Sequence, residues 1–323
     1  MTHPAAASVS EVADAGRRVL EEVGTVVVGQ ARSLRLALAA VLAGGHVLLE
    51  DVPGLGKTLA ARSLAAALGL EFRRLQCTPD LLPADVSGSF VYDLGGREFV
   101  FHPGPVFAGL LLVDEINRTP PKTQSALLEA MQEHQVTVEG RTFALPTPFH
   151  VLATSNPIEY EGTYPLPEAQ LDRFLLRLDV GYPSPQEEEE VVLRRIGRRQ
   201  EAAEVTAVVD AASLLRLQRG VEAIDVHPDV VSYCVALAGA TRRHPAVEVG
   251  ASPRGSLALV LVARALAVLA GRDHVLPEDV KEVALPALAH RLTLRPETWS
   301  TGTTGAGVVA EVLGTVATPT AAP

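Results

Sequence analysis

Cysteine, lysine and aromatic residues are scarce in this 323-residue chain, and no apolar run is long. The two cysteines, Cys77 and Cys234, lie far apart and in no C-x-x-C or Cys/His cluster. That excludes a disulfide framework and predicts a reducing, cytoplasmic setting. Lys57, Lys122 and Lys281 are the only lysines, so arginine supplies nearly all the positive charge. Basic residues are outnumbered, 28 Lys and Arg against 38 Asp and Glu, for a net charge of −10. A chain of that balance is not built to neutralise phosphate backbone over a wide surface, and no nucleic-acid partner is expected. The most apolar stretch, Leu257 to Ala270, is interrupted by Arg264 and falls short of the roughly 20 residues that span a bilayer. It predicts a buried core helix and no membrane insertion. At the N-terminus Glu11 and Asp14 precede the first basic residue and no apolar h-region follows, so no signal peptide is expected. No fixed-period repeat is present.

What the chain does have is a large apolar fraction, 47%, with 20% charged residues and a mean hydropathy of +0.21. It can bury a sizeable core in one large domain or two modest ones. Ala31 to Leu42 carries apolar residues at helical spacing, stops at Gly44-Gly45 and feeds HVLLE, a short apolar run that predicts a buried strand. DVPGLG is a turn-forming loop, and the Ala/Leu-rich segment Lys57 to Leu68 is a helix ended by Gly69. Leu110 to Val113 and His150 to Thr154 are further short apolar runs, as parallel strands covered on both faces require. SFVYDLGGREFVF and QVTVEGRTFAL alternate around Gly95-Gly96 and Glu139-Gly140 and predict two hairpins. After Leu175 to Val180, GYPSPQEEEE holds a Ser/Pro helix start and a glutamate run that the helix dipole favours. The predicted fold class is α/β. Residues 1–183 form a parallel sheet sandwiched by helices, and residues 184–299 a small all-α second domain. Residues 300–323, low in charge and rich in Thr, Ala and Gly, are expected to be a disordered tail.

In DVPGLGKT the backbone at Gly54 and Gly56 permits close approach of a triphosphate. Lys57 supplies a point charge for the β and γ phosphates, and Thr58 offers a hydroxyl to Mg²⁺. The pattern G-x-x-x-x-G-K-[ST] places its first glycine where this chain has Asp51, and G-K-T alone is also what a loop before an ordinary helix would show. A strand before the loop and a helix after it is the geometry that phosphate binding needs. It favours an ATP-binding loop made of Pro53, Gly54, Leu55, Gly56, Lys57, Thr58 and Leu59. Downstream, LLLVDEINR delivers Asp114 and Glu115 to the C-terminal end of a strand, where ligands gather in an open α/β sheet. Asp114 then holds Mg²⁺ through water, and Glu115 orients or deprotonates the attacking water. Such a pair on its own is also a solvated helix start; the upstream phosphate loop favours the functional role.

Five ordered segments are more specific still. LLEDVPGLGKT, QCTPDLLPADVSG, GPVFAGLLLVDEINRTPPKTQSALLEAMQE, ATSNPIEYEGTYPLPEAQLDRF and GASPRG, within a stretch from Val28 to Leu294, resemble the MoxR family of AAA+ ATPases. The resemblance implies an AAA+ P-loop core followed by a helical lid domain. It implies that Asn156 in ATSNP is sensor 1, helping to hold the lytic water; by itself the residue is a turn-forming Asn before Pro157. Arg173 in LDRF matches the arginine finger, which reaches the nucleotide of a neighbouring subunit. From spacing alone it is a surface salt-bridge residue. Arg254 in GASPRG matches sensor 2 from the lid and is otherwise an arginine at a helix start after Pro253. Val28, Gly29 and Gln30 match the stretch that lies near the adenine. The two hairpins match inserts of the clade that also contains MCM helicases and magnesium chelatase subunits, facing a central pore or a client.

The function so implied is Mg²⁺-dependent ATP hydrolysis in a homo-oligomeric ring, a hexamer, that remodels or matures a protein partner. MoxR-like proteins typically act on partners with a von Willebrand factor A domain, in a chaperone-like or metal-insertion role. Two other readings compete. A nucleotide switch with negligible turnover does not need Glu115, Asn156 and Arg173 together. A nucleic-acid motor needs basic hairpin tips, whereas DLGGRE and VEGRT each hold one Arg beside acids.

Overall fold

In the computed structural model, which describes residues 6–50, 54–156, 163–199 and 204–320, the chain first runs through α1 (Val9–Gly24), α2 (Ala31–Leu42), β1 (Val47–Glu50), α3 (Lys57–Ala67) and β2 (Phe72–Gln76). It continues through α4 (Pro83–Ser87), β3 (Gly88–Asp93), β4 (Glu98–Pro103), β5 (Leu110–Asp114), α5 (Pro121–Glu133), β6 (Gln135–Val138), β7 (Arg141–Ala144), β8 (His150–Ser155), α6 (Glu168–Leu171) and β9 (Leu176–Leu178). The helical part follows: α7 (Pro185–Arg198), α8 (Ala211–Glu222), α9 (Pro228–Arg243), α10 (Pro253–Leu269), α11 (Pro277–Leu288) and α12 (Gly305–Thr315), with β10 (Val247–Val249) and β11 (Thr293–Leu294) pairing as a short antiparallel ribbon.

The apolar runs pair in parallel, in the order β2–β5–β8–β1–β9. Successive side chains point to opposite faces, so Val47, Leu49, Leu110 and Leu112 join one apolar layer while Leu48, Leu111, Val113 and Val151 join the other. The first layer holds α1, α2 and α3 and runs on without a break into α8 to α12. The second holds α5 and the base of the β6–β7 hairpin. Strands covered on both faces need apolar residues at every position, which is why these segments are legible as continuous runs. β2 is the exception. It lies at the sheet edge and buries only Leu75, leaving Arg74 and Gln76 exposed, so its pattern does not announce a strand.

Both hairpins form where alternation predicts them, β3 on β4 and β6 on β7. The second closes through Glu139-Gly140, both at positive φ (49° and 76°), as a two-residue turn between right-twisting strands requires. α7 starts at the Ser/Pro signal: Ser184 Oγ accepts from Glu187 N–H at 3.3 Å, and Glu187 accepts from Ser184 N–H at 2.8 Å.

The expectation of a disordered tail from residue 300 is wrong for 304–316. Thr304 caps α12, its Oγ1 accepting from Gly307 N–H at 3.0 Å, and Val308, Val309 and Val312 are buried against the rest of the helical domain. The low charge of this stretch reflects burial of one helix stripe, not an inability to form a core. Among the described residues, no helix is long and apolar enough to cross a membrane.

Two histidines stitch the layers together. Val151 N–H donates to His46 Nδ1 at 3.0 Å, so His46 Nε2 carries the proton and faces Met131 O at 3.1 Å. Gln218 of α8 donates to Val41 O at 2.8 Å and to His150 Nε2 at 3.1 Å, while His150 Nδ1 donates to Gly45 O at 3.0 Å. Burial, with neighbouring histidines adding to it, pushes His46 down to about 3 and His150 down to about 4. In the unfolded chain each titrates near ~6.5, so below that pH the unfolded state binds more protons and stability falls as pH drops toward the two folded values. Thermal unfolding is therefore expected to lose midpoint steeply below pH ~6.5, a loss that His150→Gln makes shallower. A midpoint that stays flat down to pH ~5 contradicts a buried neutral pair.

Candidate active site

Gly54 and Gly56 both adopt positive φ, 88° and 76°, at the turn between β1 and α3. Among the described residues nothing lies within 4 Å of a Cβ built on Gly54. Gly56 occupies the N-cap of α3, and among the described residues no side chain caps that helix, unlike α1, α7, α8, α10 and α12. An uncapped N-terminus facing a cavity is suited to an anion, because its N–H groups and dipole point there. Pro53 lies outside the described residues.

Around the loop is a cavity of ≈ 210 Å³ lined by Gly54 to Thr58, Arg74, Gln76, Asp114, Glu115, Thr154, Ser155 and Asn156. Sheet order explains the assembly: β5 and β8 are neighbours and β1 lies next to β8, so their C-terminal ends converge beside the loop. Thr154 orients the acidic pair, donating from Oγ1 to Asp114 Oδ1 at 2.9 Å and accepting from Glu115 N–H at 2.8 Å. Glu115 itself sits at φ 59°, a left-handed conformation that costs a non-glycine residue about 1–3 kcal/mol and is held by that hydroxyl. Its carboxylate accepts from Gln76 Nε2 at 3.3 Å and lies 3.3 Å from Arg118. The Thr58 hydroxyl is 3.5 Å from Asp114 Oδ2. Asn156 is buried, and its carbonyl accepts from Asn117 Nδ2 at 3.3 Å. The cluster of carboxylate and hydroxyl oxygens at Thr58, Asp114 and Thr154 is the hard donor set that Mg²⁺ takes.

A second cavity, of ≈ 500 Å³, shares Gly54, Leu55 and Gly56 with the first and is lined by Val26 to Gln30, Leu59, Tyr182 and Val192. Its apolar side chains beside the phosphate loop suit a flat base, and Glu188, Arg194, Arg195 and Arg198 line it as well. Gln30 ties the two cavities together, Nε2 donating to Leu55 O at 2.7 Å.

Arg173 and Arg254 are elsewhere. They line a third cavity, of ≈ 220 Å³, with Asp172, Met131, Leu257 and Arg291, and among the described residues it has no lining residue in common with the first two. The lid therefore does not bring Arg254 to the phosphate loop of its own chain; it brings it to Arg173.

Residues 46–176 match the family model for the ATPase family associated with various cellular activities (AAA), and residues 239–312 match that for the AAA lid domain. The chain is 47% identical to the chaperone MoxR1 of Mycobacterium tuberculosis, with 94% of this chain and 82% of that protein covered. It is 48% identical to the protein YeaC of Bacillus subtilis over 94% of each. A crystal structure of a candidate ATPase from Cytophaga hutchinsonii superposes with a TM-score of 0.90 at 40% identity, covering 97% of both chains. The chain belongs to the MoxR family of AAA+ ATPases.

In this MoxR-family ATPase, sequence reasoning missed Arg74, Gln76 and Thr154. Arg74 Nε donates to Asp114 Oδ2 at 2.8 Å, and Arg74 also faces Gln76 at 2.7 Å. The guanidinium occupies the carboxylate oxygen that a metal ion at Asp114 would need. Arg74 is half-exposed, so its pair with Asp114 contributes ~0.2–1 kcal/mol. Arg74→Ala is accordingly expected to lower the free Mg²⁺ needed for half-maximal binding of a fluorescent ATP analogue by about 1.4- to fivefold. A higher Mg²⁺ requirement contradicts the competition.

Proposed function

We propose that the chain hydrolyses ATP with Mg²⁺ between neighbouring subunits of a closed homo-oligomeric ring, a hexamer by resemblance, and that it uses the cycle to remodel a protein client. The observation that carries this reading is the separation of Arg173 and Arg254 from the phosphate loop. The phosphate cavity has Lys57 and Arg74 of its own, Arg74 being paired with Asp114, whereas the two arginines that the resemblance assigns to the reaction sit in another cavity, so a second subunit supplies them.

In the proposed site Lys57 and the first turn of α3 bind the phosphates, and Val28, Gly29, Gln30 and Leu59 enclose the base. Thr58 and Asp114 would hold Mg²⁺, which would supply positive charge against the phosphates. Glu115 orients the water and takes its proton, and Asn156 keeps that water in line. Arg173 and Arg254 of the adjoining subunit stabilise the charge that develops on the transferring phosphoryl group.

A protein client is favoured over nucleic acid by the β3–β4 hairpin, which exposes Leu94 (84%) and Phe99 (66%) together with Tyr92 and Val91. Its tip carries one cation, Arg97, between Asp93 and Glu98. Exposed apolar surface of this kind suits apolar segments of a polypeptide. That the client carries a von Willebrand factor A domain, that a metal is inserted and that the protein works in the cytoplasm rest on resemblance and on the two buried thiols.

The test is specific ATPase activity against protein concentration, with sedimentation velocity on the same samples. Activity per subunit is expected to rise with the assembled fraction. Full activity in samples that sediment as monomer sinks the inter-subunit site.

A further inference from the structure

Arg291 follows α11 in the helical domain, within the stretch that matches the AAA lid domain but outside the five segments that carry the resemblance. Its side chain is only 3% exposed, and it reaches across to the core domain at the turn that carries Arg173. Nε donates to Asp172 Oδ1 at 2.7 Å, and the terminal nitrogens donate to main-chain carbonyls on either side of Arg173, Phe174 O at 2.8 Å, Leu175 O at 3.3 Å and Asp172 O at 3.4 Å, with His290 Nε2 3.0 Å from Nη1. A further bond to Ala287 O fixes the guanidinium to its own helix. The other Asp172 oxygen, Oδ2, accepts from Ser252 Oγ at 3.0 Å. Ser252 is the N-cap of α10, and its Oγ also accepts from Arg254 N–H at 3.1 Å.

The finger and the lid arginine are thus joined by a short relay, Arg173–Asp172–Ser252–Arg254, and Arg291 grips its core end. A planar fork of donors matched to one carboxylate and to the carbonyls around it fixes position as well as charge. Burial pulls the Arg291 pKa down and the Asp172 carboxylate opposes that shift. Nothing in this arrangement touches the phosphate cavity.

We propose that Arg291 is a positioning residue for ATP hydrolysis: through Asp172 and Ser252 it locks Arg173 and Arg254 into one rigid unit, so that the lid and the core present both cations together to the neighbouring subunit's nucleotide. The inference rests on the inter-subunit site proposed above. It also links lid and core mechanically, since a lid displacement that breaks the relay withdraws both arginines at once.

The experiment uses the full chain with Arg291→Lys, which keeps the charge but loses the fork, and with the milder Ser252→Ala and Ser252→Thr. Each is assayed for affinity toward a fluorescent ATP analogue, for turnover, and for turnover after mixing with Lys57→Ala subunits. Affinity is expected to stay within about threefold. Turnover is expected to fall roughly 100-fold in Arg291→Lys, the scale of a ~1 Å misplacement, and about tenfold in Ser252→Ala, with recovery in Ser252→Thr. Mixing with Lys57→Ala is expected to restore activity, because a mixed interface joins the variant's intact phosphate loop to an intact finger. A merely destabilised fold is not repaired that way.

Unchanged turnover in Arg291→Lys overturns the clamp. So does a loss that Lys57→Ala leaves unrepaired while it repairs Arg173→Ala. If Arg291→Lys does not fold, equal turnover in Ser252→Ala and Ser252→Thr overturns it. Failure of Lys57→Ala to repair even Arg173→Ala overturns the inter-subunit site itself, and the clamp with it.

Discussion

Arg173→Ala is expected to lower ATP turnover by about 10³-fold or more while nucleotide affinity stays within about twofold. The size follows from the role: an arginine that stabilises the transferring phosphoryl group supplies on the order of 10³–10⁵ in rate. The selectivity follows from placement. Arg173 lines the cavity that also holds Arg254, away from the loop at Gly54 to Thr58, and cannot report on binding within its own chain. Its neighbour Asp172 keeps the Arg291 pairing in the variant, so the buried pair is not broken and the fold is retained. Arg173→Lys tests the geometry, since an ammonium keeps the charge without the planar fork and is expected to recover little. Turnover within about threefold of the parent protein, under conditions where sedimentation shows assembly, removes Arg173 from the reaction.

Glu115→Gln is expected to retain ATP and to lose about 10²–10⁴ in turnover, the range that a positioned general base supplies. The substitution is nearly isosteric. The left-handed backbone at residue 115 and the Thr154 hydroxyl that supports it are unchanged, because that bond uses the main-chain N–H. What disappears is the capacity to accept a proton from water. The amide oxygen that replaces the carboxylate can still accept from Gln76 and Arg118, so the arrangement persists without the base. Rapid mixing followed by filter retention of labelled ATP measures the trapped state directly. If the variant turns over normally, another group takes the proton; if it releases ATP quickly, the carboxylate serves binding and not chemistry.

Much of the site is legible in the sequence because it depends on local order. Strand, glycine loop and helix within Val47–Ala67 place Gly54, Gly56, Lys57 and Thr58 by chain continuity alone. Asp114 and Glu115 need only a buried strand that ends where they begin. Both hairpins and the Ser184-Pro185 helix start are likewise written in nearest-neighbour chemistry. The misses share a different cause. β2 carries Arg74 and Gln76 to the site, yet as an edge strand it shows no apolar run, and nothing local tells that Arg74 meets Asp114, 40 residues away. α12 reads as tail because its three buried valines find their partners only when the helices before it have packed.

Short-range chemistry along the chain thus suffices to specify an α/β ATPase core with a helical second part, and to pick out Gly54, Gly56, Lys57, Thr58, Asp114 and Glu115, which line one cavity. Glycine conformation, apolar periodicity and helix termini act over a few residues, so they are readable without coordinates. Packing between distant segments settles the rest: the lid shares one apolar layer with α1, α2 and α3, and Arg254 keeps company with Arg173 instead of Lys57. Those outcomes depend on which of several apolar faces come together, a choice made by shape and burial between elements far apart in the chain. Arg291 illustrates the division: in sequence it is one arginine among many, and in the fold it is a buried fork around the turn at Arg173.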